Sequence, residues 1–507
     1  MDKKTRVLFV IPPLRGDLRA GIRNVKFPLG PAYIAAYLEK NGFFVRIIDS
    51  LAYYEKVKKL GPNKYHVGLS YDEIEKRMRE INADVIGINC GYTAYEQDAF
   101  EIANLARKVN PNCLVVFGGA HSSAEPNSVF KNKNVDLIAF GEGEETFNEI
   151  VSKYENKEKL KGIEGTIERG NTSPIKNKPR PFIKDLDSLP FPARHLLPME
   201  RYITHPDSAL WAMRGRSTDI ITSRGCPQHC SFCSIFTVWG RVWRSRSPSN
   251  VVDEIEHVVK TYNVKQFRIQ DDNLAVSGQR IKEICKEIIK RRLDIKWYTP
   301  NGIAIWTLNE EILTLMKKAG YYLAIFGIES GNEETLKYID KPINLKYARK
   351  IIGICHKLGI WTCSTFLLGF PHESMKHIRD TIEFAKDSGL DFAQFYIAQP
   401  YAGTPLYKKF QEEGLLDEGI KKSSSLAASQ YKTHYFSGEE LQELQSKAYA
   451  EFMKHKMKSL TSPRFIIKTV LPKNKSFEEI MYSAKIVKNL VNQKVSSVFI
   501  KDEDDLA

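Results

Sequence analysis

The sequence predicts an α/β protein with an N-terminal doubly wound, Rossmann-like domain, a partial parallel barrel and a helical C-terminal extension. The chain has 507 residues, more than one core holds at about 100–200 residues per domain. Short apolar runs alternate with helical patterns in two separate regions, residues 1–150 and 211–425. Hydrophobic residues make up 42% and charged residues 27%, which is ordinary globular composition and excludes disordered and fibrous classes.

Strand and helix patterns alternate along residues 1–150. This order predicts parallel strands joined by right-handed crossovers, that is, a doubly wound sheet. The predicted strands are Val7–Ile11, Val45–Asp49, Val85–Asn89, Leu114–Gly118 and Leu137–Phe140. The predicted helices are Gly30–Lys40, Tyr71–Ile81, Tyr95–Val109 and Glu145–Tyr154.

Residues 151–210 lose this periodicity and are rich in Lys, Pro and Asn. Such composition is typical of a linker with a little local structure. The N-terminal run Val7–Ile11 stops at a Pro pair, so it is too short for a signal peptide. No stretch approaches the length of a membrane span. We therefore expect a cytoplasmic protein, with peripheral association at a membrane surface left open.

The alternation returns in residues 211–425. Six strand–helix steps are too many for a flavodoxin-like sheet and too few for an eight-fold barrel, so they predict a partial (βα)6 TIM-like barrel with its chemistry at the carboxyl ends of the strands. The predicted strands are Asp219–Thr222, Gln266–Gln270, Ile295–Thr299, Leu323–Ile328, Thr362–Leu368 and Phe392–Ala398. The predicted helices are Pro248–Tyr262, Ser277–Arg291, Asn309–Ala319, Leu345–Leu358 and Ser374–Ser388.

Residues 426–507 form the predicted helical extension. Ser437 is a helix N-cap signal, with glutamates in the turn that follows. The last residues, KDEDDLA, are acidic, and we expect them to fray.

Three of the eight cysteines, Cys226, Cys230 and Cys233, lie within eight residues, just after the first strand of the predicted barrel. Thiolates at this spacing can converge on one soft metal centre and leave a coordination position open. A structural zinc site completed by His229 is the alternative. It is disfavoured because His229 abuts Cys230 and the ligand spacing is not that of zinc pairs.

The CxxxCxxC pattern, with Phe232 before the last cysteine, resembles the signature of radical S-adenosylmethionine (SAM) enzymes. The resemblance implies that the three thiolates hold a four-iron, four-sulfur cluster whose unique iron chelates the amino and carboxylate groups of SAM. It further implies that one-electron reduction by an external donor, such as ferredoxin or flavodoxin, cleaves SAM to a 5′-deoxyadenosyl radical.

Further motifs along the predicted barrel resemble the SAM-binding steps of that family. Asp271, Asp272 and Asn273 end the second strand, where carboxylate and amide acceptors suit the methionine ammonium. Glu329 and Ser330 end the fourth strand and resemble the ribose- and carboxylate-binding step. Gly369 belongs to a motif that resembles the fifth-strand glycine motif beside adenine. For each motif, ordinary turn chemistry is the alternative.

Residues 1–150 resemble the cobalamin-binding domain found fused to radical SAM barrels. Glycines at strand ends let a flat corrin or a nucleotide tail approach the backbone. The residues that the resemblance implies for cobalamin are Gly30, Thr93, Gly118, Gly119, His121, Gly141, Glu142 and Gly143. The DxHxxG segment that supplies a histidine to cobalt is absent: Asp17–Gly21 carries Arg19 where the histidine would be. This leaves two interpretations open, a corrin without that ligand or a vestigial domain.

Lys and Arg (75) outnumber Asp and Glu (61), giving a net charge of +14. Part of this excess lies in residues 211–250, which hold six arginines (Arg214, Arg216, Arg224, Arg241, Arg244 and Arg246) and one acid. We expect these arginines to offset the thiolates, clamp the methionine carboxylate or receive an anionic substrate. The same stretch carries Trp211, Phe232, Phe236, Trp239 and Trp243. Together they favour a hydrophobic substrate with an anionic part, such as a lipid or tetrapyrrole.

The resemblances predict an enzyme that transfers a methyl group from cobalamin to an unactivated carbon. The alternative within the same group is radical cyclisation, carbon–carbon bond formation or rearrangement on a lipid or tetrapyrrole, with or without cobalamin. A zinc-dependent nucleic-acid-binding protein is a third hypothesis. It is disfavoured because no nucleic-acid recognition motif accompanies the charge.

Overall fold

A computed structural model describes residues 4–16, 26–61, 64–205, 211–416 and 431–486. Its N-terminal sheet has the order β10-β9-β8-β7-β6-β1-β3. Neighbouring strands from β8 to β3 pair in parallel, while β9 and β10 run antiparallel. These strands are β1 (Arg6–Ile11), β3 (Phe44–Asp49), β6 (Val85–Asn89), β7 (Leu114–Gly118), β8 (Leu137–Ala139), β9 (Thr166–Glu168) and β10 (Ile175–Lys176).

Both faces of this sheet are covered, because alternate side chains of one strand point to opposite cores. In β1, Leu8 and Val10 pack into one buried cluster, and Val7 and Phe9 into another. The predicted doubly wound sheet is therefore confirmed. The helices of this domain are α1 (Leu29–Lys40), α2 (Tyr71–Ile81), α3 (Glu96–Val109), α4 (Ala120–Ala124), α5 (Pro126–Val129) and α6 (Gly143–Glu155).

A small antiparallel sheet of order β2-β5-β4 was not anticipated from the sequence. It consists of β2 (Leu14–Gly16), β4 (Val57–Gly61) and β5 (Lys64–Val67). All of β4 up to its last residue is exposed, so it carries no alternation of buried and exposed side chains. A strand without that alternation has no sequence signature of the kind used above.

The prediction of a linker over residues 151–210 needs correction. Strand β9 pairs with β8, and β10 pairs with β9, so this stretch extends the N-terminal sheet. Strands of three and two residues are too short to show a periodic pattern. The stretch also carries α7 (Met199–Ile203), and Arg194 enters a buried ion pair with the barrel.

Among the described residues, the barrel has six parallel strands in the order β11-β14-β15-β16-β17-β18, as predicted. A separate antiparallel pair, β12 with β13, stands beside β11. The strands are β11 (Ser217–Ile220), β12 (Ser223–Arg224), β13 (Arg244–Ser245), β14 (Gln266–Ile269), β15 (Lys296–Tyr298), β16 (Tyr321–Glu329), β17 (Trp361–Leu368) and β18 (Phe392–Ile397). The helices are α8 (Phe236–Trp239), α9 (Pro248–Tyr262), α10 (Gly278–Lys290), α11 (Glu310–Lys318), α12 (Glu333–Tyr338), α13 (Leu345–Leu358), α14 (Met375–Asp387) and α15 (Pro405–Glu412).

The C-terminal extension contains α16 (Gly438–Ser459) and α17 (Pro463–Phe465) and packs against the barrel. Ser437 and Glu440 form the capping box that starts α16. The side-chain amide of Gln445 donates to the Phe395 carbonyl of β18 at 2.7 Å. Beyond α17, the Pro472 carbonyl lies so close to Gly359 that a Cβ there would be 2.2 Å from it. The acidic tail lies outside the described residues.

The two domains are joined through buried charges. Glu254 of α9 binds Arg194 at 2.9 Å and also pairs with Arg246, and all three side chains are at most 4% exposed. Burial alone would raise the pKa of Glu254, but Arg246 and Arg194 hold it below its usual value. The carboxylate is therefore charged and compensated in the folded protein.

Glu254→Gln removes the one carboxylate between two buried guanidinium groups. Breaking a buried ion pair typically costs about 3–5 kcal/mol, and we expect that loss in the free energy of unfolding, measured by urea unfolding followed by circular dichroism. Glu256→Gln, on the same helix but paired near the surface, is the matched control and should change stability by less than about 1 kcal/mol. Equal effects of the two variants would contradict this role for Glu254.

Candidate active site

The three clustered cysteines lie in a loop that begins directly after β12. Gly225 starts this loop with φ +84°, and a Cβ there would be 2.5 Å from the Val242 carbonyl oxygen. Only glycine suits this close approach in the left-handed region. Cys230 is buried, while Cys226 and Cys233 are half-buried. The other five cysteines (Cys90, Cys113, Cys285, Cys355 and Cys363) are buried core residues, as the sequence indicated.

The donor set suits an iron–sulfur cluster better than a single ion. Within the described part of the chain, no three His, Cys, Asp or Glu side chains are placed to share one metal ion. A cluster binds each thiolate through a different iron, so its ligands need not meet at one point. Burial raises the pKa of Cys233 to about 11, and the neighbouring Cys230 and Cys226 add to that rise. A cationic centre beside Cys233 would favour its thiolate form.

The acidic residues after β14 divide into two roles. Asp271 accepts hydrogen bonds from Thr222 N and Ser223 Oγ, both at 2.6 Å, so it fixes the backbone before the cysteine loop. Asp272 accepts from Gly225 N at 3.2 Å, and burial, followed by the charge of Asp271, raises its pKa to about 7. Asn273 Nδ2 is 3.9 Å from Cys226 Sγ.

Glu329, at the end of β16, has φ +69°, an unusual conformation for a residue with a side chain. Its carboxylate accepts from Thr365 Oγ1 at 3.1 Å and lies 3.3 Å from the Lys341 ammonium. Ser330 is fully buried and bonds to Thr381 Oγ1 at 3.0 Å. Burial raises the pKa of the Cys230 thiol, and the Glu329 carboxylate adds to that rise, so Glu329 lies near the cysteine loop. The Ser330 hydroxyl, by contrast, is engaged inside the protein.

Gly369 directly follows β17 and has φ +90°. Its N–H donates to Glu373 Oε2 at 2.8 Å. Glu373 also accepts from Phe370 N, and burial raises its pKa to about 7. The Glu373 carboxylate thereby holds the turn that follows β17. In the sequence, this turn was indicated only by Gly369.

Sequence reasoning missed Lys341, which the structure brings next to Glu329. The residue lies in a polar loop after α12, and the sequence alone does not distinguish it from an exposed surface lysine. Thr365 was likewise not singled out, because a threonine inside a strand pattern is ordinary.

A cavity of about 220 Å³ lies between the N-terminal sheet and the barrel. No atom comes within 4 Å of a Cβ built on Gly30 or Gly141, so the backbone is open there. Gly119 differs: it has φ +110°, and its Cβ would meet the Cys90 carbonyl at 2.8 Å. Of the predicted residues, the cavity lining includes Gly30, Gly118, Gly119, Gly141 and Gly143; the barrel contributes Ile221, Arg224, Val238 and Trp239.

Thr93 and His121 lie together, but neither lines this cavity. His121 Nδ1 is 3.1 Å from Thr93 Oγ1, and Nε2 is 2.8 Å from Glu96 Oε1. Both ring nitrogens of this buried side chain are thus engaged. The cavity lining contains no histidine within the described ranges, and Asp17–Gly21 lies outside them.

Glu142, in the N-terminal domain, forms ion pairs with two arginines of the barrel. Its carboxylate accepts from Arg224 at 2.7 Å and from Arg244 at 2.9 Å, and all three side chains are at most 7% exposed. Arg224 also binds Glu144, which lines the cavity, at 2.5 Å. In this structure Glu142 serves the domain junction instead of facing the cavity.

The expectation that six arginines serve the cluster or an anionic substrate is corrected for five of them. Five carry carboxylate partners: four of these pairs join the barrel to surrounding elements, and the pair of Arg246 with Glu254 lies within the barrel. The pairs are Arg214–Glu478, Arg216–Glu200, Arg224–Glu142, Arg244–Glu142 and Arg246–Glu254. Arg241 instead donates to the Gln228 carbonyl at 2.5 Å and stacks 4.4 Å above the Phe236 ring.

Trp211 does not belong to an aromatic wall near the cysteines. Its ring packs 5.0 Å from Phe392, and its carbonyl accepts from Tyr322 and Tyr482. Phe392 begins β18, so Trp211 lies at the opposite end of the barrel. Trp239 lines the cavity, and Trp243 Nε1 donates to the Asn273 carbonyl at 3.0 Å.

Two family models match the chain, the B12 binding domain at residues 17–151 and the radical SAM superfamily at residues 220–385. An uncharacterized methyltransferase of Pyrococcus horikoshii is 31% identical over 451 residues, 89% of this chain and 93% of that protein. The cytidylyl-2-hydroxyethylphosphonate methyltransferase of Streptomyces wedmorensis is 30% identical, over 89% and 90% of the two chains. The chain belongs to the radical SAM superfamily. It is an enzyme, and these two relatives along most of its length are methyltransferases.

The fold agrees with a solved member of this class. The radical SAM methyltransferase TsrM of Kitasatospora setae, solved with tryptophan and a SAM analogue, superposes with a TM-score of 0.71 at 16% identity, covering 98% of this chain and 100% of that chain. The two family models confirm the predicted family and its N-terminal B12-binding-type domain. They likewise confirm the predicted cofactor set of cluster, SAM and cobalamin. Across the described residues, no helix has the length and apolar character needed to cross a bilayer.

Because the pKa of Asp272 is raised to about 7, the carboxylate is about one-tenth ionised at pH 6 and mostly ionised at pH 8. If it accepts from the methionine ammonium, SAM affinity should rise up to about tenfold between these pH values. Anaerobic equilibrium dialysis of the cluster-loaded protein measures this. Asp272→Asn should abolish the dependence, and Asp294→Asn, near the protein surface, should keep it. A pH-independent wild-type affinity would count against this role.

Proposed function

We propose that this enzyme transfers a methyl group to an unactivated carbon of a hydrophobic or anionic small molecule, using an iron–sulfur cluster, SAM and cobalamin. The observation that carries the proposal is the position of Arg224. Its side chain lines the glycine-edged cavity of the N-terminal domain, and two residues later the chain reaches Cys226. Two candidate cofactor sites thus adjoin along one short stretch of backbone.

Cys226, Cys230 and Cys233 would hold the cluster, and Asp272, Asn273 and Glu329 would receive SAM. When bound, the cluster and SAM supply a 5′-deoxyadenosyl radical, and cobalamin supplies the methyl group. The protein's own contribution is to orient these groups and exclude water. Buried Asp271 supports that role, because it ties Thr222 and Ser223 immediately before the loop.

The N-terminal cavity fits a flat, largely apolar ligand edge. The open backbone at Gly30 and Gly141 leaves room beside it, and the ring of Trp239 and the guanidinium of Arg224 form the barrel side. We infer that cobalamin binds here without a histidine from the described residues. His121, engaged at both ring nitrogens, is not proposed as a cobalt ligand.

The substrate class rests on two observations. The Streptomyces wedmorensis relative acts, by its name, on a cytidylyl phosphonate, which is anionic. The aromatic side chains of Phe236 and Trp239 follow the cysteine loop, and Arg241 stacks on Phe236. These features support a small molecule with an apolar or planar part and an anionic part, and a lipid or tetrapyrrole remains within that class.

The proposal also includes two partners. Reduction of the cluster requires an external one-electron donor, such as ferredoxin or flavodoxin.

Peripheral association with an anionic membrane surface is supported by exposed apolar side chains in the C-terminal extension, including Ile467 (61% exposed) and Phe477 (78% exposed). Exposed lysines, among them Lys468 and Lys475, would face anionic headgroups.

Replacing any one of Cys226, Cys230 or Cys233 by Ala should reduce bound iron and sulfide to near background after anaerobic reconstitution, because each thiolate would hold a separate iron. Cys285→Ala, a core substitution away from the loop, should retain the cluster. With wild-type enzyme and a candidate substrate, a product heavier by one methyl group supports methyl transfer, and a product that has lost hydrogens supports the cyclisation alternative. Full cluster loading in all three variants would refute the proposal.

Gly30→Leu should lower bound cobalt without lowering bound iron. A Cβ at Gly30 meets no atom within 4 Å, so the larger side chain would enter the cavity and compete with cobalamin instead of straining the fold. Gly353→Leu, on α13 and equally open, is the matched control. Metal analysis after reconstitution with hydroxocobalamin gives both contents, and unchanged cobalt in Gly30→Leu would argue against this cavity.

A further inference from the structure

Lys341 is a largely buried cation that none of the motifs described above includes. Its side chain is 12% exposed, and its ammonium lies 3.3 Å from Glu329 Oε1. The backbone is fixed on both sides, since Lys341 N donates to the Leu336 carbonyl and Ile343 N donates to the Lys341 carbonyl. Asp340, just before it, has φ +54°. This fixed backbone directs the lysine inward.

One side of this ammonium faces the cysteine loop. Phe232, which stands between Cys230 and Cys233, has its ring centre 5.7 Å from Lys341 Nζ, and Trp306 lies at 5.8 Å on another side. The loop is also tied to the same segment by its backbone, because Ser231 N donates to the Ile339 carbonyl at 3.0 Å. The ammonium is therefore held against the loop by both side-chain and main-chain contacts.

Neighbouring groups hold the charge on Lys341 although its side chain is largely buried. Burial alone would lower the pKa of Lys341, but Glu329 first, and then the Cys230 thiol, raise it above its usual value. Glu329 shares its carboxylate with Thr365. A largely buried cation is stabilised further by any negative charge placed beside it.

We propose that Lys341 is a positioning residue that holds Glu329 in place and, through its charge, raises the reduction potential of the cluster bound by Cys226, Cys230 and Cys233. The inference rests on the proposed function, because it needs the cluster. Reduction adds an electron to a group beside the ammonium. A fixed positive charge stabilises the reduced state more than the oxidised state, so the cluster accepts the electron more readily.

The test is a redox titration of the reconstituted full-length protein, with the cluster signal followed by electron paramagnetic resonance. Lys341→Met, which keeps the side-chain length and removes the charge, should load iron and sulfide and shift the midpoint potential to more negative values. Lys341→Arg should restore the wild-type potential. Lys337→Met, an exposed lysine four residues earlier on α12, is the matched control and should leave the potential unchanged.

A second variant covers the case in which Lys341→Met does not assemble the cluster. Glu329→Gln removes the negative partner and leaves the ammonium, so it should shift the potential in the opposite, more positive direction. An unchanged potential in either loaded variant overturns the inference and leaves the proposed function standing. A wild-type protein that binds no cluster overturns both.

Discussion

The arrangement of the whole molecule depends on buried carboxylate–guanidinium pairs at the domain junction. Glu142 and Glu144 belong to the N-terminal domain, and Arg224 and Arg244 to the antiparallel strand pair of the barrel. Each of these side chains is at most 7% exposed. A different docking of the two domains that kept these side chains buried would leave charges without partners, and that penalty is larger than the net gain from forming the pairs. The junction therefore favours one fixed relation between cavity and cysteine loop.

This constraint also explains why Arg224 stands where it does. The guanidinium lies 5.0 Å above the Trp239 ring and 5.4 Å above the Tyr33 ring, so it connects cavity walls from both domains. Asp271 fixes Thr222 and Ser223 just before Arg224, and Gly225 then turns the chain into the loop. A few hydrogen-bonded charges thus fix the position of the two cofactor sites, which lie in separate domains, relative to each other.

Most of the fold follows from the sequence, because buried parallel strands and amphipathic helices carry strong periodic signals. Strand β6 and helix α9 have the predicted bounds. The sheet extension by β9 and β10 could not be predicted, since strands that short have no period. The part of the site that could be predicted is the cysteine loop, because its residues lie close together in the sequence. The site was not predicted where distant residues meet: Lys341 beside Glu329, or arginines whose partners lie far away in sequence.

A barrel that stops after its sixth described strand leaves β18 at an edge, with backbone groups available to other chains. Helix α16 covers that edge: Leu441, Ala448 and Phe452 are buried, and Gln445 bonds to the strand's own carbonyl. The C-terminal extension thus has a structural role that is separate from substrate binding. It shields the open edge of an incomplete barrel from edge-to-edge aggregation.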